Sequence, residues 1–582
     1  MVEAFVLGAL RLTGRDESEL ATITARIVSS PHARQLHAFA PQDFRDLMRD
    51  TFDLRVVEIS SIQDAAIRIG LGWSGVERPG GRVYGIEACT DALNKITSAA
   101  EDYLCDELAS FSRQGLIEAA VRNHEAAAID ARRWKKTSGA IIALSDNESA
   151  MRSEIAETFF RLNGVSLACR LLAEIGLHHC PEDGGLEVGD IDLSRLMARV
   201  MMIVHLGGYS DAIQYGAMKP ELRVSPAGEV QIDISFFDGI MEPVGRAFTD
   251  RQVDRERKSY IASLREPEIA DESQHGKIDQ NFEEAWAEEF GTSFWAYRST
   301  IDELENLCGQ RDRSWMIIRR SDLIKLLKTE GALTVLETLE SVPRERWKSV
   351  PKGYDDADRQ PWRYRRRLSI ARRPIVRLGT DADANVLVAP GMIREGLSAT
   401  VHNMHEGYYE PSRLSSRKMR RWADKVSNTN GAEFEVEVAS RLTDLGWSVR
   451  RGIKFGEILG RDPDEDPGDI DVLAWNATGC IFLLECKRLQ FAKTASEIAK
   501  QLSKFRGHVD EKRRPDRLAK HLKRWTLARQ NTEAFSTFTG LKNPSIEAGL
   551  VFSHTVPMQF AVDRMREQLW AGTIQQLDAL SD

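Results

Sequence analysis

Apolar residues recur at helical spacing through most of the first 345 residues of this 582-residue chain. They return every three or four positions, which places them along one side of a helix. The pattern is clearest over residues 18–30, 42–52, 153–176 and 193–208. A strand-like run at 229–237 interrupts it. The sequence therefore predicts a mainly helical N-terminal region with some β structure.

After residue 430 the pattern changes to short apolar runs separated by polar turns. Residues 431–446 carry one helical stripe and end at a glycine that suits a C-terminal cap. The later runs predict strands at 447–455, 469–475 and 480–488, a helix at 494–509 and a strand at 546–556. This α-β-β-β-α-β order predicts an α/β domain with a mixed sheet.

The chain is too long for one hydrophobic core, so we expect several domains. Candidate boundaries lie at "PEDGG", in the polar stretch 250–280 and at "SVPKGYDDADRQP". We predict a helical domain at 1–180, a second mainly helical domain with some β structure at 181–348, a basic connecting segment with a short β element at 349–430, and the α/β domain at 431–582. The fold class is multidomain, mostly α followed by α/β.

The composition is that of a folded protein, with 42% hydrophobic and 29% charged residues. Seven scattered cysteines without a C-x-x-C pair predict reduced thiols rather than disulfides or structural zinc. No apolar run approaches the length of a membrane span, and the first residues lack the features of a signal peptide. We therefore expect a cytoplasmic protein that does not enter a membrane.

Charge is divided unevenly along the chain. Residues 1–350 carry 41 basic and 57 acidic side chains, whereas residues 351–582 carry 38 and 31. A basic C-terminal part favours a polyanionic partner such as nucleic acid. The alternative is a chance fluctuation of solvated surface charge.

Four charged residues lie in the predicted β-hairpin. Asp469 and Asp471 open its first strand, and Glu485 and Lys487 lie near the end of its second. A charge in a buried strand costs free energy unless it is paired or binds a metal. Glu485 and Lys487 share a strand face, and two carboxylates with a lysine at one strand end form a compact pocket for Mg²⁺, which prefers oxygen ligands. A salt bridge between Glu485 and Lys487 is the alternative, and Asp469 competes with Asp471 for the metal.

The runs "GDIDVLAW" and "IFLLECKR" resemble the D…E-x-K signature of the PD-(D/E)XK nuclease superfamily, which has the restriction-endonuclease-like fold. The preceding "GAEFEVEVASRLTDLGW" resembles the first core helix of its Mrr-like and Holliday-junction-resolvase-like branches. The resemblance covers about residues 431 to 555. It implies metal-assisted phosphodiester hydrolysis with Mg²⁺ or Mn²⁺ as cofactor.

The resemblance also implies the metal ligands. Asp471 and Glu485 would bind the ion together with the backbone carbonyl of Cys486. Asp471 is favoured over Asp469 because it lies where the hydrophobic strand of the family begins. A turn or cap role is the alternative for Asp471.

Three further residues take roles by the same resemblance. Lys487 would orient or polarise the attacking water, Glu435 would support a second ion, and Gln501 matches a glutamine that recurs on the helix after the lysine. For Glu435 and Gln501 the alternative is ordinary solvated helix polarity.

Two basic segments are candidate nucleic-acid-binding surfaces. The first interleaves arginines with Trp362 and Tyr364, a mixture suited to phosphate contact and base stacking; its residues are Arg365, Arg366, Arg367, Arg372 and Arg373. The second is a predicted basic helix at 510–525, with Lys512, Arg513, Arg514, Arg517, Lys520, Lys523 and Arg524. The alternatives are a basic face that meets the acidic N-terminal part and a solvated amphipathic helix.

These observations predict a metal-dependent nuclease, most simply a DNA endonuclease that serves bacterial defence or DNA processing. The N-terminal region would be regulatory and would bind a protein partner or a second copy of the chain. Two alternatives stay open. The chain could be a non-catalytic nucleic-acid-binding or scaffold protein with the nuclease fold. Alternatively, the helical region could be the functional centre, with a nuclease domain that is silent until a partner arrives.

Overall fold

The computed structural model describes most of the chain as two compact units, Met1–Thr51 and Phe52–Asp582. The described residues are 6–7, 10–11, 14, 16–27, 54–60, 81–225, 230–265, 279–363, 366–409, 413–463, 465–509, 514–567 and 569–580. In the first unit one helix is described, α1 (Glu17–Ile27). The helix predicted at 42–52 lies outside the described residues.

Four long helices form the first part of the second unit, as the helical periodicity predicts. They are α2 (Ile86–Leu108), α3 (Arg113–Leu144), α4 (Glu148–His179) and α5 (Asp190–Gln214). Side chains cap two of them, because Ser112 accepts a hydrogen bond from the Gly115 amide and Asn147 from the Ala150 amide. A small antiparallel sheet accompanies the helices, with the order β1 (Arg82–Tyr84), β2 (Glu221–Val224) and β3 (Val230–Ile232).

The middle of the chain combines shorter helices with a four-stranded sheet. The helices are α6 (Glu242–Arg265), α7 (Gln280–Phe290), α8 (Phe294–Gly309), α9 (Arg320–Leu326), α10 (Ala332–Leu339) and α11 (Pro390–His405). The sheet has the order β4-β7-β6-β5, formed by β4 (Met316–Arg319), β5 (Glu340–Ser341), β6 (Ile375–Arg377) and β7 (Asn385–Val388).

Two strands predicted in these regions are shorter than expected. The run at 229–237 keeps strand geometry only in β3 and then enters a π-helical turn, Phe237–Met241. The strand element predicted within 349–430 is β7, and α11 follows it directly with Pro390 in its first turn. A proline is compatible with that position because the first helical amides have no partner within the helix.

The C-terminal part contains the predicted α-β-β-β-α-β order, with one short helix after the first strand, two additional helices before the last predicted strand and one further strand after it. Its elements are α12 (Arg417–Asp444), β8 (Ser448–Lys454), α13 (Phe455–Leu459), β9 (Asp469–Trp475), β10 (Cys480–Lys487), α14 (Ala495–Ser503), α15 (Arg517–Gln530), α16 (Thr532–Thr539), β11 (Ser545–Phe552) and β12 (Trp570–Thr573). The sheet order is β12-β11-β10-β9-β8, antiparallel from β8 to β10 and parallel from β10 to β12. The mixed sheet is therefore confirmed.

Helix α12 begins 14 residues before the predicted start of the first core helix. Its N-terminal half places Met419, Trp422 and Ala423 in an apolar cluster with Phe282 and Trp286 of α7. From the sequence these residues belong to the predicted basic connecting segment, because the arginines and lysines on the opposite side of the helix obscure the apolar stripe.

The helical bundle and the C-terminal sheet share one continuous core. Residues of α2 to α5 pack in the same cluster as Ile498 and Leu502 of α14 and Phe552 of β11. Trp362 lies against Gly207 of α5, where a β-carbon would overlap its ring. The predicted boundaries at 181 and 349 stay predictions. No helix among the described residues is both long and apolar enough to cross a lipid bilayer.

Candidate metal centre

The β9–β10 hairpin positions the predicted site. Its turn forms because the Asn476 side chain accepts hydrogen bonds from the Thr478 and Cys480 amides, each at 3.1 Å. Gly479 has a φ of 93°, a conformation that glycine adopts without strain. The antiparallel register pairs Val472 with Leu484, which brings the next residues along, Asp471 and Glu485, opposite each other on one face of the sheet.

Three oxygen atoms surround the Lys487 ammonium. Its nitrogen lies 2.7 Å from Glu485 Oε1, 3.2 Å from Asp471 Oδ2 and 3.0 Å from the carbonyl oxygen of Cys486. Asp471 Oδ2 also accepts a hydrogen bond of 2.8 Å from the Cys486 amide. The structure therefore brings together the four residues on which the predicted centre depends, and it joins Asp471 rather than Asp469 to Lys487.

The charges of this cluster change the pKa values of two groups. Burial alone would lower the pKa of Lys487, but Glu485 and Asp471 outweigh it and raise the pKa above its ordinary value. The pKa of the Glu435 carboxyl is raised by burial and then by the negative charge of Asp471. Glu435, on α12, is thus close enough to the centre to sense its charge, and the Lys487 ammonium stays positive.

Glu485 is buried and has cationic partners on both carboxylate oxygens. Its Oε2 forms an ion pair with Arg524 of α15, and His521 Nδ1 lies 3.7 Å from the same oxygen. Burial, followed by the charge of Arg524, lowers the pKa of His521 to about 3. The imidazole is therefore neutral, and the two positive charges beside Glu485 are those of Lys487 and Arg524.

Neither of these inward-facing residues of α15 is predicted at the centre from the sequence. The prediction that Arg524 follows a phosphate backbone needs correction, because its guanidinium is buried against Glu485 and the Asp469 carbonyl. The available signal was helical spacing. Leu518, Leu522 and Ala528 are buried, and they define a stripe that also contains His521.

The remaining site residues lie around this centre in different ways. The Cys486 side chain packs in the core against Phe434 and Val438, so only its backbone faces the lysine. Gln501 donates a hydrogen bond of 2.6 Å to the carbonyl of Gln490, in the segment that leaves β10. Its catalytic role stays a prediction, and the contact that the structure gives it is with this segment.

The centre has the smallest set of oxygen ligands that could bind a small, hard cation. Within the described residues no group of three His, Cys, Asp or Glu side chains has the arrangement of a metal site. The centre offers two carboxylates and one backbone carbonyl instead. That set suffices for Mg²⁺, which commonly binds one or two carboxylates and completes its shell with waters and substrate phosphate.

Two arginines of the first basic segment form ion pairs within the protein, and one of them, Arg366, meets the N-terminal part. Arg366 is buried and forms a bidentate pair with Glu174 of α4, at 2.7 and 2.9 Å. Arg367 pairs with Asp358. Arg366 is thus unavailable to an external polyanion, which corrects its prediction.

The other predicted nucleic-acid-binding residues differ in accessibility. Arg373 donates to the Tyr354 hydroxyl at 2.8 Å, and Arg372 lies over the Tyr409 ring. The exposed residues are on or just before α15, namely Arg514, Arg517, Lys520 and Lys523, and Lys523 pairs with Glu465. Arg365, Lys512 and Arg513 lie outside the described residues. An outward basic surface is therefore present on α15, and its partner stays a prediction.

Comparison with known proteins adds the biological setting. The chain belongs to a family of anti-phage proteins, because the model of that family matches almost its whole length. The family is described as Anti-phage protein Upx-like, and the match covers residues 2–577. No curated protein and no solved structure matches the chain. The expectation of a role in defence is confirmed at this level, and the family description names no reaction.

Proposed function

We propose that the C-terminal α/β part is a metal-dependent nuclease of the restriction-endonuclease-like fold, which hydrolyses phosphodiester bonds of phage DNA. One observation carries the proposal. Asp471, Glu485 and the Cys486 carbonyl direct three oxygen atoms to a single point of positive charge, within 3.2 Å of the Lys487 nitrogen. These are the three groups that the family resemblance assigns to the metal.

A divalent ion would be held by these same oxygens. When bound, it would polarise the scissile phosphate and lower the pKa of a water molecule that attacks it. The ammonium of Lys487 and the ion would compete for these oxygens. The ammonium would orient the attacking water and stabilise the negative charge that develops on the phosphate oxygens.

Two neighbouring groups support this arrangement. Arg524 fixes one oxygen of Glu485, which leaves Oε1 directed at the centre. Burial, followed by the negative charge of Asp471, raises the pKa of the Glu435 carboxyl, so a second cation at the centre would stabilise the ionised form of Glu435. This is the electrostatic basis for its proposed part in holding a second ion.

The proposal is tested by incubating the purified full-length protein with plasmid, linear duplex, single-stranded DNA and RNA. Each reaction contains Mg²⁺, Mn²⁺ or a chelator. We expect cleavage of DNA with either ion, and a loss of at least about 100-fold in Lys487→Ala and Asp471→Ala. Lys500→Ala, which removes an exposed lysine of α14, is the matched control. Undiminished cleavage by either site variant, with folding verified by circular dichroism, contradicts the assignment.

One observation favours a second candidate function. Both oxygens of Glu485 already have cationic partners, Lys487 and Arg524, so the centre is electrically satisfied as a structural ion-pair cluster. A non-catalytic nucleic-acid-binding module would have this property. Salt-sensitive DNA binding without cleavage under any metal condition supports that candidate instead.

A further inference from the structure

A cavity of about 200 Å³ lies among α4, the turn before β6, one side of α11 and the segment that leaves β10. Three arginines line it, Arg170, Arg372 and Arg413. Glu395 is the one acidic residue among its described lining residues, and both Glu395 and Ala399 are exposed. The cavity is therefore positively charged and opens to the surface.

Arg372 of this cavity differs from the arginines that hold the fold together. Arg366 and Arg367 each pair with a carboxylate. The contact shown for Arg372 is instead with an aromatic ring, its guanidinium carbon 5.4 Å from the centre of Tyr409. Guanidinium groups bind phosphate oxygens through paired, charge-assisted hydrogen bonds. An anion with phosphate geometry is thus the ligand that this charge distribution favours.

The rest of the lining suits a ligand that also carries a ring and polar groups. Tyr408 and Tyr409 supply aromatic rings, on which a nucleobase can stack. The Gln490 amide donates to Asn403 Oδ1 at 2.7 Å, while its own Oε1 is buried and has no hydrogen-bond partner among the described residues. A sugar hydroxyl or a base amino group that reached this oxygen would satisfy it.

The cavity is close to the candidate metal centre along the chain. Gln490 follows Lys487 by three residues, so their α-carbons are separated by about 11 Å at most. The side chain of Gln501 holds the same segment through the Gln490 carbonyl. If a strand end binds in the cavity, a phosphodiester bond only a few nucleotides from that end would lie at the centre.

We propose that this cavity binds a nucleoside 5′-phosphate, either as a free nucleotide or as the phosphorylated end of a DNA strand. Its volume is below the range of about 300–1,000 Å³ that is typical of drug-sized ligands, which suits one nucleotide that is partly exposed at the rim. The binding itself is independent of the proposed nuclease. Only the strand-end role rests on that function.

The test measures binding by isothermal titration calorimetry on the full-length protein, with a chelator present so that no cleavage occurs. The probes are AMP, inorganic phosphate, and two single-stranded oligonucleotides that differ only in a 5′-phosphate. We expect Arg170→Gln and Arg372→Gln to weaken AMP binding by about 10- to 100-fold each. Arg255→Gln, at an exposed position of α6, should leave it unchanged.

A second variant separates a binding defect from a folding defect. Tyr409→Leu keeps all three guanidinium groups and removes the ring, so it should weaken AMP binding more than it weakens the binding of inorganic phosphate. Thermal unfolding of every variant is recorded alongside. Loss of AMP affinity without loss of stability supports the site.

The oligonucleotide pair decides the source of the phosphate. Tighter binding of the phosphorylated strand, with competition by AMP, supports a strand end; AMP binding without any effect of the 5′-phosphate supports a free nucleotide. The proposal is overturned if AMP does not bind and the 5′-phosphate has no effect, or if both arginine variants bind AMP as tightly as the unsubstituted protein. Because a chelator is present, failure of the nuclease proposal leaves this measurement unaffected.

Discussion

Two buried glutamates of this protein have different surroundings. Glu174 in the helical bundle directs both oxygens to one guanidinium, that of Arg366, in a pair that is complete by itself. Glu485 in the sheet divides its oxygens between Lys487 and Arg524, and Asp471 adds a second negative charge beside the same lysine. Burial of a charge therefore does not distinguish structure from function. Convergence of several oxygens on one point is the more specific feature.

The largest expected effect concerns the ion pair of Glu174 and Arg366. Arg366→Met leaves Glu174 buried without its cation, and breaking a buried ion pair on one side costs about 3–5 kcal/mol. We expect a loss of this size in the free energy of unfolding, measured by urea denaturation. The double variant Glu174→Leu with Arg366→Met should recover most of it, because no unpaired charge remains.

A matched control makes this result specific. Arg346→Met removes an exposed arginine, and its expected effect is below about 1 kcal/mol because exposed charges are screened by water. If Arg366→Met costs as little as the control, the pair does not stabilise the bundle, and the contrast with Glu485 disappears.

The two glutamates also differ in how far the sequence predicts their partners. The hairpin and the shared face of Asp471, Glu485 and Lys487 follow from strand parity and a short turn, which are local properties of 20 residues. The partner of Arg366 lies 192 residues away, and no local pattern identifies it. Arg524 is 39 residues from Glu485, and its inward direction follows only from its position on a helix whose docking the sequence does not specify.

The first core helix shows the same limit. Its second half follows from the regular apolar stripe of residues 431–446. Its first half packs against α7, more than 130 residues earlier in the chain, and its exposed side is rich in basic residues. The basic residues therefore indicate a connecting segment, whereas tertiary contacts with α7 make this half of α12 helical.

The second prediction compares the two aspartates of β9. Asp469 and Asp471 point to the same side of the strand, but only Asp471 has a described contact with Lys487. We expect Asp471→Asn to reduce metal-dependent DNA cleavage by about 10²- to 10³-fold, the size typical of removing one well-placed charged group. Asp469→Asn should change it by less than about threefold, since a surface substitution away from the site is usually mild.

Single-turnover cleavage of a plasmid at saturating Mg²⁺ measures both variants under the same conditions. Equal losses of cleavage in the two variants would mean that both aspartates contribute alike. The contact with Lys487 would then not distinguish Asp471 from Asp469. A larger loss in Asp469→Asn would transfer the proposed ligand role to that residue.

The smallest expected effect concerns the outer side of α15, whose inner side carries Arg524. Arg517 and Lys520 are exposed on this helix, in contrast to Arg366 of the first basic segment. If each contacts one DNA phosphate, each substitution to glutamine should lower the slope of log K against log salt by about 0.9 and weaken binding about fivefold at 0.15 M salt. Duplex binding is measured by fluorescence anisotropy in the presence of a chelator, and Arg346→Gln serves as the control. An unchanged slope in the double variant Arg517→Gln with Lys520→Gln would show that the outer side of α15 is only solvated, and that this helix contributes to the centre through its inner side, with His521 and Arg524.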